Sequence, residues 1–263
     1  MRASGTVLDR ILAETSEAVA ERRSARPLAS LVPLDGAGGG RFRLALAEPG
    51  IGVIAEFKRR SPSAGALHDA PDLERIVGAY ERGGAVAASI LTEGPNFGGS
   101  LDDLALARGI SGLPLLRKDF VVDVYQLHEA LAYGADAVLL IVAALEDGEM
   151  AELYAAAGEL GLDVLVEVHD AAELERAAAL GAAIIGVNNR DLRDFSVDVE
   201  RTARLAGEMP PGAIVVSESG IAAASRLAAL EGQGVHAVLV GETLMRADDP
   251  AAALVELRSF QDV

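Results

Sequence analysis

The side chains in this sequence best suited to chemistry are Glu56, Lys58, Lys118, Glu167, Asn188 and Glu218. Glu56 and Lys58 stand two apart in Ile54-Ala55-Glu56-Phe57-Lys58, so on an extended strand they share a side and Phe57 faces the other. Each of the others closes an apolar run: Leu115-Leu116-Arg117-Lys118, Leu165-Val166-Glu167, Gly186-Val187-Asn188 and Val215-Val216-Ser217-Glu218. Ionisable groups are rarely fully buried unless paired, and lysines set among carboxylates perturb one another's proton affinity, as acid–base chemistry requires. One such residue alone reads as a loop polar group or a rim ion pair. Delivered together to one end of the fold, the set reads as a reaction site. Two small-residue turns follow, Ser219-Gly220-Ile221, taken to open a helix, and Val240-Gly241-Glu242-Thr243. Backbone N–H groups there can approach an anion closely, so a phosphate is favoured over glycine acting only as a cap.

The elements that must position these residues are visible as eight apolar or β-branched runs: Gly52–Lys58, Ala85–Leu91, Pro114–Lys118, Asp136–Val142, Asp163–Val168, Ala183–Asn188, Ala213–Glu218 and His236–Gly241. Each is followed by a helix-like segment, which indicates repeated βα units. Continuous apolar runs suit parallel strands buried on both faces. Gly134, Gly161 and Gly181 fall where three helices must close before a strand, the left-handed position that glycine tolerates. Eight units predict a (β/α)₈ TIM barrel, whose catalytic residues sit at the carboxyl ends of the strands and whose phosphate site follows strands seven and eight. The open doubly wound alternative lacks its G-x-G-x-x-G after strand one. The expected organisation is a single barrel domain over 1–263, with an N-terminal helical extension over 1–50 and the barrel over 51–263. In the extension, Val7, Leu8, Ile11, Leu12 and Val19 share one helical face from Thr6 to about Arg23. Asp35–Gly40 reads as a flexible joint and Arg41–Ala47 as a further short helix.

Composition narrows the class. Fifty-one per cent of the 263 residues are hydrophobic, enough for one core, and no apolar run reaches the ~18 residues of a membrane span. The beginning of the chain lacks a signal-peptide pattern, so a cytoplasmic location is the expectation. With no cysteine, thiolate nucleophiles, disulfides and cysteine-based metal sites are excluded. A net charge of −17 repels nucleic acid and anionic membranes and disfavours self-association, leaving a monomer or weak homo-oligomer. The four histidines, His68, His128, His169 and His236, show no metal-ligand grouping, and His169 is placed at the rim of strand five. The basic loop Arg59-Arg60-Ser61-Pro62-Ser63-Ala64-Gly65 reads equally as a lid over a ligand or a solvated charged loop.

These motifs resemble the indole-3-glycerol phosphate synthase family. The resemblance is carried by Ile54–Ser63, Leu91-Thr92-Glu93 with Phe97-Gly98-Gly99-Ser100-Leu101, Arg117-Lys118-Asp119-Phe120 and Glu167-Val168-His169. Asn188-Asn189-Arg190-Asp191-Leu192, Ser217-Glu218-Ser219-Gly220-Ile221 and Val240-Gly241-Glu242 complete it, in family order from about residue 50 to 247. Val124 stands where the family often has proline, and Gly98-Gly99 falls at a variable position; neither touches the ionisable set. The resemblance implies ring closure of 1-(2-carboxyphenylamino)-1-deoxyribulose 5-phosphate with loss of CO₂ and water, without cofactor or metal. It implies Lys118 as general acid for ring closure, and Glu167 and Lys58 sharing the dehydration with their division into acid and base open. Glu56 and Glu218 would orient and tune them. It further implies Asn188, Arg190 and Ser61 on substrate carboxylate and hydroxyls, and Phe120 and Leu139 as an apolar wall. The phosphate would rest on the amides of Ser219, Gly220, Gly241 and Glu242, with Lys58 near. A phosphoribosylanthranilate isomerase would need a cysteine. An idle scaffold barrel would be expected to lack at least one of the strand-end groups.

Overall fold

A computed structural model describes residues 6–62, 65–68, 71–191 and 195–259. Its centre is a closed barrel of eight parallel strands. They are β1 (Gly52–Phe57), β2 (Ala87–Leu91), β3 (Leu115–Lys118), β4 (Ala137–Ile141), β5 (Asp163–Val168), β6 (Ile184–Asn188), β7 (Ile214–Glu218) and β8 (Ala237–Val240). Each strand pairs with its neighbours in sequence, and β8 closes on β1 through Gly52 opposite Ala237 and Ala55 opposite Val240. The apolar runs read from sequence contain these strands and overshoot by a residue or two at several ends, where flanking residues such as Val86, Asp136 and His236 still hydrogen-bond to the neighbouring strand.

Alternation along each strand sorts the side chains into two cores. Val53, Ala55, Phe57, Ile90, Leu115, Val138, Leu140, Val166 and Val187 face the surrounding helices. Ile54, Leu116, Leu139, Leu165, Ile184, Val216 and Leu239 fill the barrel. The helices are α1 (Val7–Ala25), α2 (Arg41–Leu46), α3 (Leu73–Arg82), α4 (Leu101–Ile110), α5 (Val124–Ala132), α6 (Asp147–Glu159), α7 (Ala171–Leu180), α8 (Arg201–Ala206), α9 (Ala224–Glu231), α10 (Glu242–Met245) and α11 (Pro250–Arg258). Thr6 and Asp9 form a reciprocal capping box that starts α1, and Ile11, Leu12 and Val19 bury its inner face. Phe42 and Leu46 of α2 are fully buried and join the barrel-interior core. Gly134, Gly161 and Gly181 adopt the left-handed conformation expected of them.

Two expectations need correction. The Asp35–Gly40 segment is a fitted turn instead of a flexible joint: Gly38 N donates to Ala135 O at 3.1 Å and Gly39 N to Gly161 O at 2.9 Å. A Cβ on Gly38 would lie 2.8 Å from Gly161 O, so glycine serves close approach there. Ser219-Gly220 does not open a helix, because α9 begins at Ala224. The two residues form a left-handed turn, with φ of 67° and 77°. Among the described residues no helix is long and apolar enough to cross a membrane.

Candidate active site

The carboxyl ends of the strands open into a cavity of about 410 Å³. Every residue singled out above for chemistry or binding lines it: Glu56, Lys58, Ser61, Lys118, Phe120, Leu139, Glu167, Asn188, Arg190, Glu218, Ser219, Gly220, Gly241 and Glu242. Two lysine–carboxylate groups divide the floor. On β1, Lys58 Nζ donates to Glu56 Oε1 at 2.6 Å. On β3, Lys118 Nζ lies 3.5 Å from Glu167 Oε2 of β5 and 3.7 Å from Glu218 Oε2 of β7.

Two glycines, one on β6 and one just past the end of β8, make room for these carboxylates. A Cβ on Gly186 of β6 would fall on Glu218 Oε1, and one on Gly241 would lie 2.5 Å from Glu56 Oε1 and 3.0 Å from Lys58 Nζ. Asn188 has its amide orientation fixed: Oδ1 accepts from Arg190 N at 3.0 Å and Ser219 Oγ at 2.9 Å, leaving Nδ2 to donate to Glu167 Oε1 at 3.1 Å. The Arg190 guanidinium donates to Phe195 O at 3.0 Å. Phe120 and Phe97 approach as tilted rings 6.4 Å apart, forming an apolar side to the cavity with Leu139.

Electrostatics follows from this crowding. Burial works against the Lys118 charge, but Glu167, then Glu218 and Glu56, outweigh it and hold the ammonium well above the ordinary lysine range. Burial likewise opposes the charge on Glu167, yet Lys118, His169 and Asn188 bring it down to about 2. Glu218 goes the other way: burial, then the Glu167 charge, push it up to about 8 despite Lys118. Two neighbouring carboxyls are thus separated into an ionised and a protonated one at neutral pH, the arrangement expected of a proton-transfer site.

His169 is the residue that sequence reasoning undervalues. It is buried instead of sitting at an open rim, with Nε2 3.3 Å from Glu167 Oε1 and Nδ1 3.0 Å from Glu173 Oε2. A signal is present, since the alternation that joins Glu56 to Lys58 also joins Glu167 to His169. Thr243, from the turn after strand eight, also lines the cavity, as does Arg246, which no motif announces. The basic loop after β1 is not simply solvated. Arg59 clasps Asp103 at 2.5 and 2.7 Å and stacks over Phe57, and Arg60 donates to Pro95 O. Ser63 and Ala64 of that loop, and Leu192 of the strand-six motif, lie outside the described residues. Among the described residues, no three His, Cys, Asp or Glu side chains converge as a metal cage.

Fold and cavity together define the class, a (β/α)₈ barrel whose strand ends hold largely buried lysine–carboxylate pairs. The fold recurs in 3-hexulose-6-phosphate synthase (TM-score 0.62, 16% identity, covering 80% of this chain and 99% of that one). It recurs also in thiamine phosphate pyrophosphorylase from Pyrococcus furiosus (TM-score 0.60, 20% identity, covering 81% and 96%). At the level of sequence, the profile of indole-3-glycerol phosphate synthase matches residues 8–257. Indole-3-glycerol phosphate synthase 2 of Streptomyces coelicolor is 50% identical over 250 residues, 94% of this chain and 97% of that protein. The indole-3-glycerol phosphate synthase of Mycobacteroides abscessus is 47% identical over 262 residues, covering 97% and 94%. The chain belongs to the indole-3-glycerol phosphate synthase family.

Proposed function

We propose that this chain converts 1-(2-carboxyphenylamino)-1-deoxyribulose 5-phosphate to indole-3-glycerol phosphate, with loss of carbon dioxide and water. The observation that carries this reading, in a chain of this family, is that each inward lysine has its own carboxylate: Lys118 with Glu167, and Lys58 with Glu56. The reaction needs two acids at different moments, and the two pairs answer that need.

In the first step the aromatic carbon bearing the carboxylate attacks the ribulose carbonyl carbon. Lys118 gives its proton to the carbonyl oxygen, so that a hydroxyl forms where an alkoxide would otherwise build up. The ring, now cationic, takes back the electrons of its bond to the carboxylate, and CO₂ leaves. In the dehydration, Lys58 protonates that hydroxyl, water departs, and a base removes the proton from the neighbouring carbon. The 2.6 Å contact favours Glu56 as that base, in place of the Glu167 suggested by resemblance. Glu167 instead acts on Lys118, holding its charge, while Glu218, largely protonated, tunes the same pair.

Substrate binding follows the cavity. Phe120 and Leu139, with Phe97, flank the aromatic ring; Asn188, Arg190 and Ser61 meet the carboxylate and hydroxyls, where an arginine can grip two oxygens at once. The phosphate lies against the backbone of Ser219, Gly220, Gly241 and Glu242, with Lys58 beside it. The test is direct: mix the purified chain with substrate and follow indole fluorescence. The chain has no Trp, so its own background is low. Indole from the wild type is the expected result, and none from a folded wild type overturns the reading.

A further inference from the structure

The two lysine–carboxylate pairs do not reset in the same way. In the dehydration, Lys58 gives a proton to the departing hydroxyl and Glu56 takes one from carbon; the two side chains touch, so Glu56 returns its proton to Lys58 directly. Ring closure has no such return. The proton from Lys118 ends in the departing water, and the negative charge of the substrate carboxylate disappears with CO₂. One proton per turnover must therefore enter from solvent and reach Lys118.

Behind Glu167 the structure holds a chain of groups that ends at the surface. Glu167 turns Oε2 toward Lys118 Nζ at 3.5 Å and Oε1 toward His169 Nε2 at 3.3 Å. His169 Nδ1 lies 3.0 Å from Glu173 Oε2, whose side chain is 17% exposed at the start of α7. The backbone N–H of His169 also donates to Glu173 Oε2 at 2.7 Å, which holds the two together. His169 Nε2 is buried and makes no well-aligned hydrogen bond, so nothing but Glu167 competes for it.

We infer that Glu173, His169 and Glu167 form the path by which Lys118 regains its proton after ring closure. The step balances simply. His169 Nε2 gives its proton to Glu167 Oε1, and a half-turn of that carboxyl about its Cγ–Cδ bond presents the proton to the neutral Lys118 amine; the imidazole, left with its proton on Nδ1, swings its bare Nε2 out past Glu173, takes up a proton from solvent there and swings back. Direction is supplied by the surroundings. The groups facing the path are Lys118, Glu218 and Asn188 around Glu167, Glu56 beside Lys118, and Glu167 and Glu173 around His169. Burial opposes the charge on His169, but its two carboxylates outweigh that and lift it to about 10, and Lys118 is held higher still. A proton on His169 therefore runs downhill to a discharged Lys118. This inference rests on Lys118 being the acid of ring closure.

The experiment separates the first turnover from later ones by rapid mixing with excess substrate. Wild-type enzyme starts with Lys118 charged, and so do His169→Asn and Glu173→Gln. In the first variant the asparagine keeps an amide on the Glu173 side and lacks the Nε2 contact. In the second the glutamine keeps an acceptor for the backbone N–H of His169. Both variants are expected to form the first indole per site at close to the wild-type rate. Later turnovers should then slow by roughly 10- to 100-fold, and a high concentration of imidazole, as a small proton donor, should restore them. Equal slowing of first and later turnovers, or no slowing at all, overturns the relay, and Glu173→Gln gives that answer if His169→Asn does not fold. Loss of the first turnover in Lys118→Ala upholds the underlying assignment, so a failure there is told apart from a failure of the relay.

Discussion

Arg117 and Lys118 are neighbours on β3 and point in opposite directions, each into a buried cluster of charges. Outside the barrel, Arg117 is fully buried and saturated. It donates to Gln126 O at 2.6 Å, Asp119 Oδ2 at 2.8 Å, Thr92 Oγ1 at 3.2 Å and Glu129 Oε2 at 3.3 Å. Glu129 in turn holds Arg22 of α1 at 2.7 Å, tying the N-terminal helix to the barrel wall. Inside the barrel, Lys118 reaches its carboxylates only at 3.5 and 3.7 Å, and Glu218 Oε1 and Ser89 Oγ are buried without a hydrogen-bond partner. Buried polar groups are usually satisfied, and an exception asks for an explanation. The outer cluster is saturated, as a structural ion pair network is expected to be; the inner one is not, and its lysine and carboxylates line the cavity.

The sharpest way to break this contrast is to remove both neighbours in turn. Lys118→Ala is expected to lower turnover by about 10²- to 10⁴-fold in a chain that still folds; near-normal indole formation would remove Lys118 from its role. Arg117→Met keeps an apolar stem but strands Asp119 and Glu129, so denaturant unfolding should register a loss of roughly 3–5 kcal/mol. Its turnover per folded molecule should stay within a few-fold of wild type. An unchanged midpoint would deny the outer cluster its structural role.

A smaller effect sharpens the comparison through pH. Burial and the Glu167 charge raise Glu218 in the fold to about 8 from an ordinary 4.5. Between those values the folded protein holds a proton that the unfolded chain has lost, so stability falls as pH rises through the window. Glu218→Gln removes that slope, and near pH 8 it should be the more stable of the two proteins. Urea midpoints measured at pH 5 and pH 8 decide it, and parallel slopes in the two proteins would count against a protonated Glu218. The smallest change is Arg22→Ala. Arg22 is half-exposed, so cutting its bond to Glu129 should cost at most about 1 kcal/mol in thermal unfolding, with turnover preserved.

Much of this is legible in the residues alone. Barrel strands announce themselves by apolar runs, and the period-two alternation that puts Glu56 with Lys58 also separates Arg117 from Lys118. What stays hidden depends on distant partners. The fit of Gly38 and Gly39 rests on the carbonyls of Ala135 and Gly161, which no local pattern marks as available. The start of α9 escapes the sequence because its N-cap, Ala223, has no side-chain oxygen to signal it. Arg22 and Glu129 are far apart in the chain, and ordinary surface helices carry such residues everywhere. His169 is within reach of the same alternation rule, but its importance depends on Glu173 folding back onto it.

Gly186 and Gly241 place a limit on how this barrel can be altered. Elsewhere on a strand, glycine to alanine is among the mildest of exchanges. At these two positions one methyl group would evict a carboxylate, and with it the balance of charge around both lysines. A complete substitution map of the chain would therefore show two of its least tolerant inward positions at residues that carry no functional group, and any effort to graft new chemistry onto this scaffold inherits those two empty spaces as fixed parts of the site.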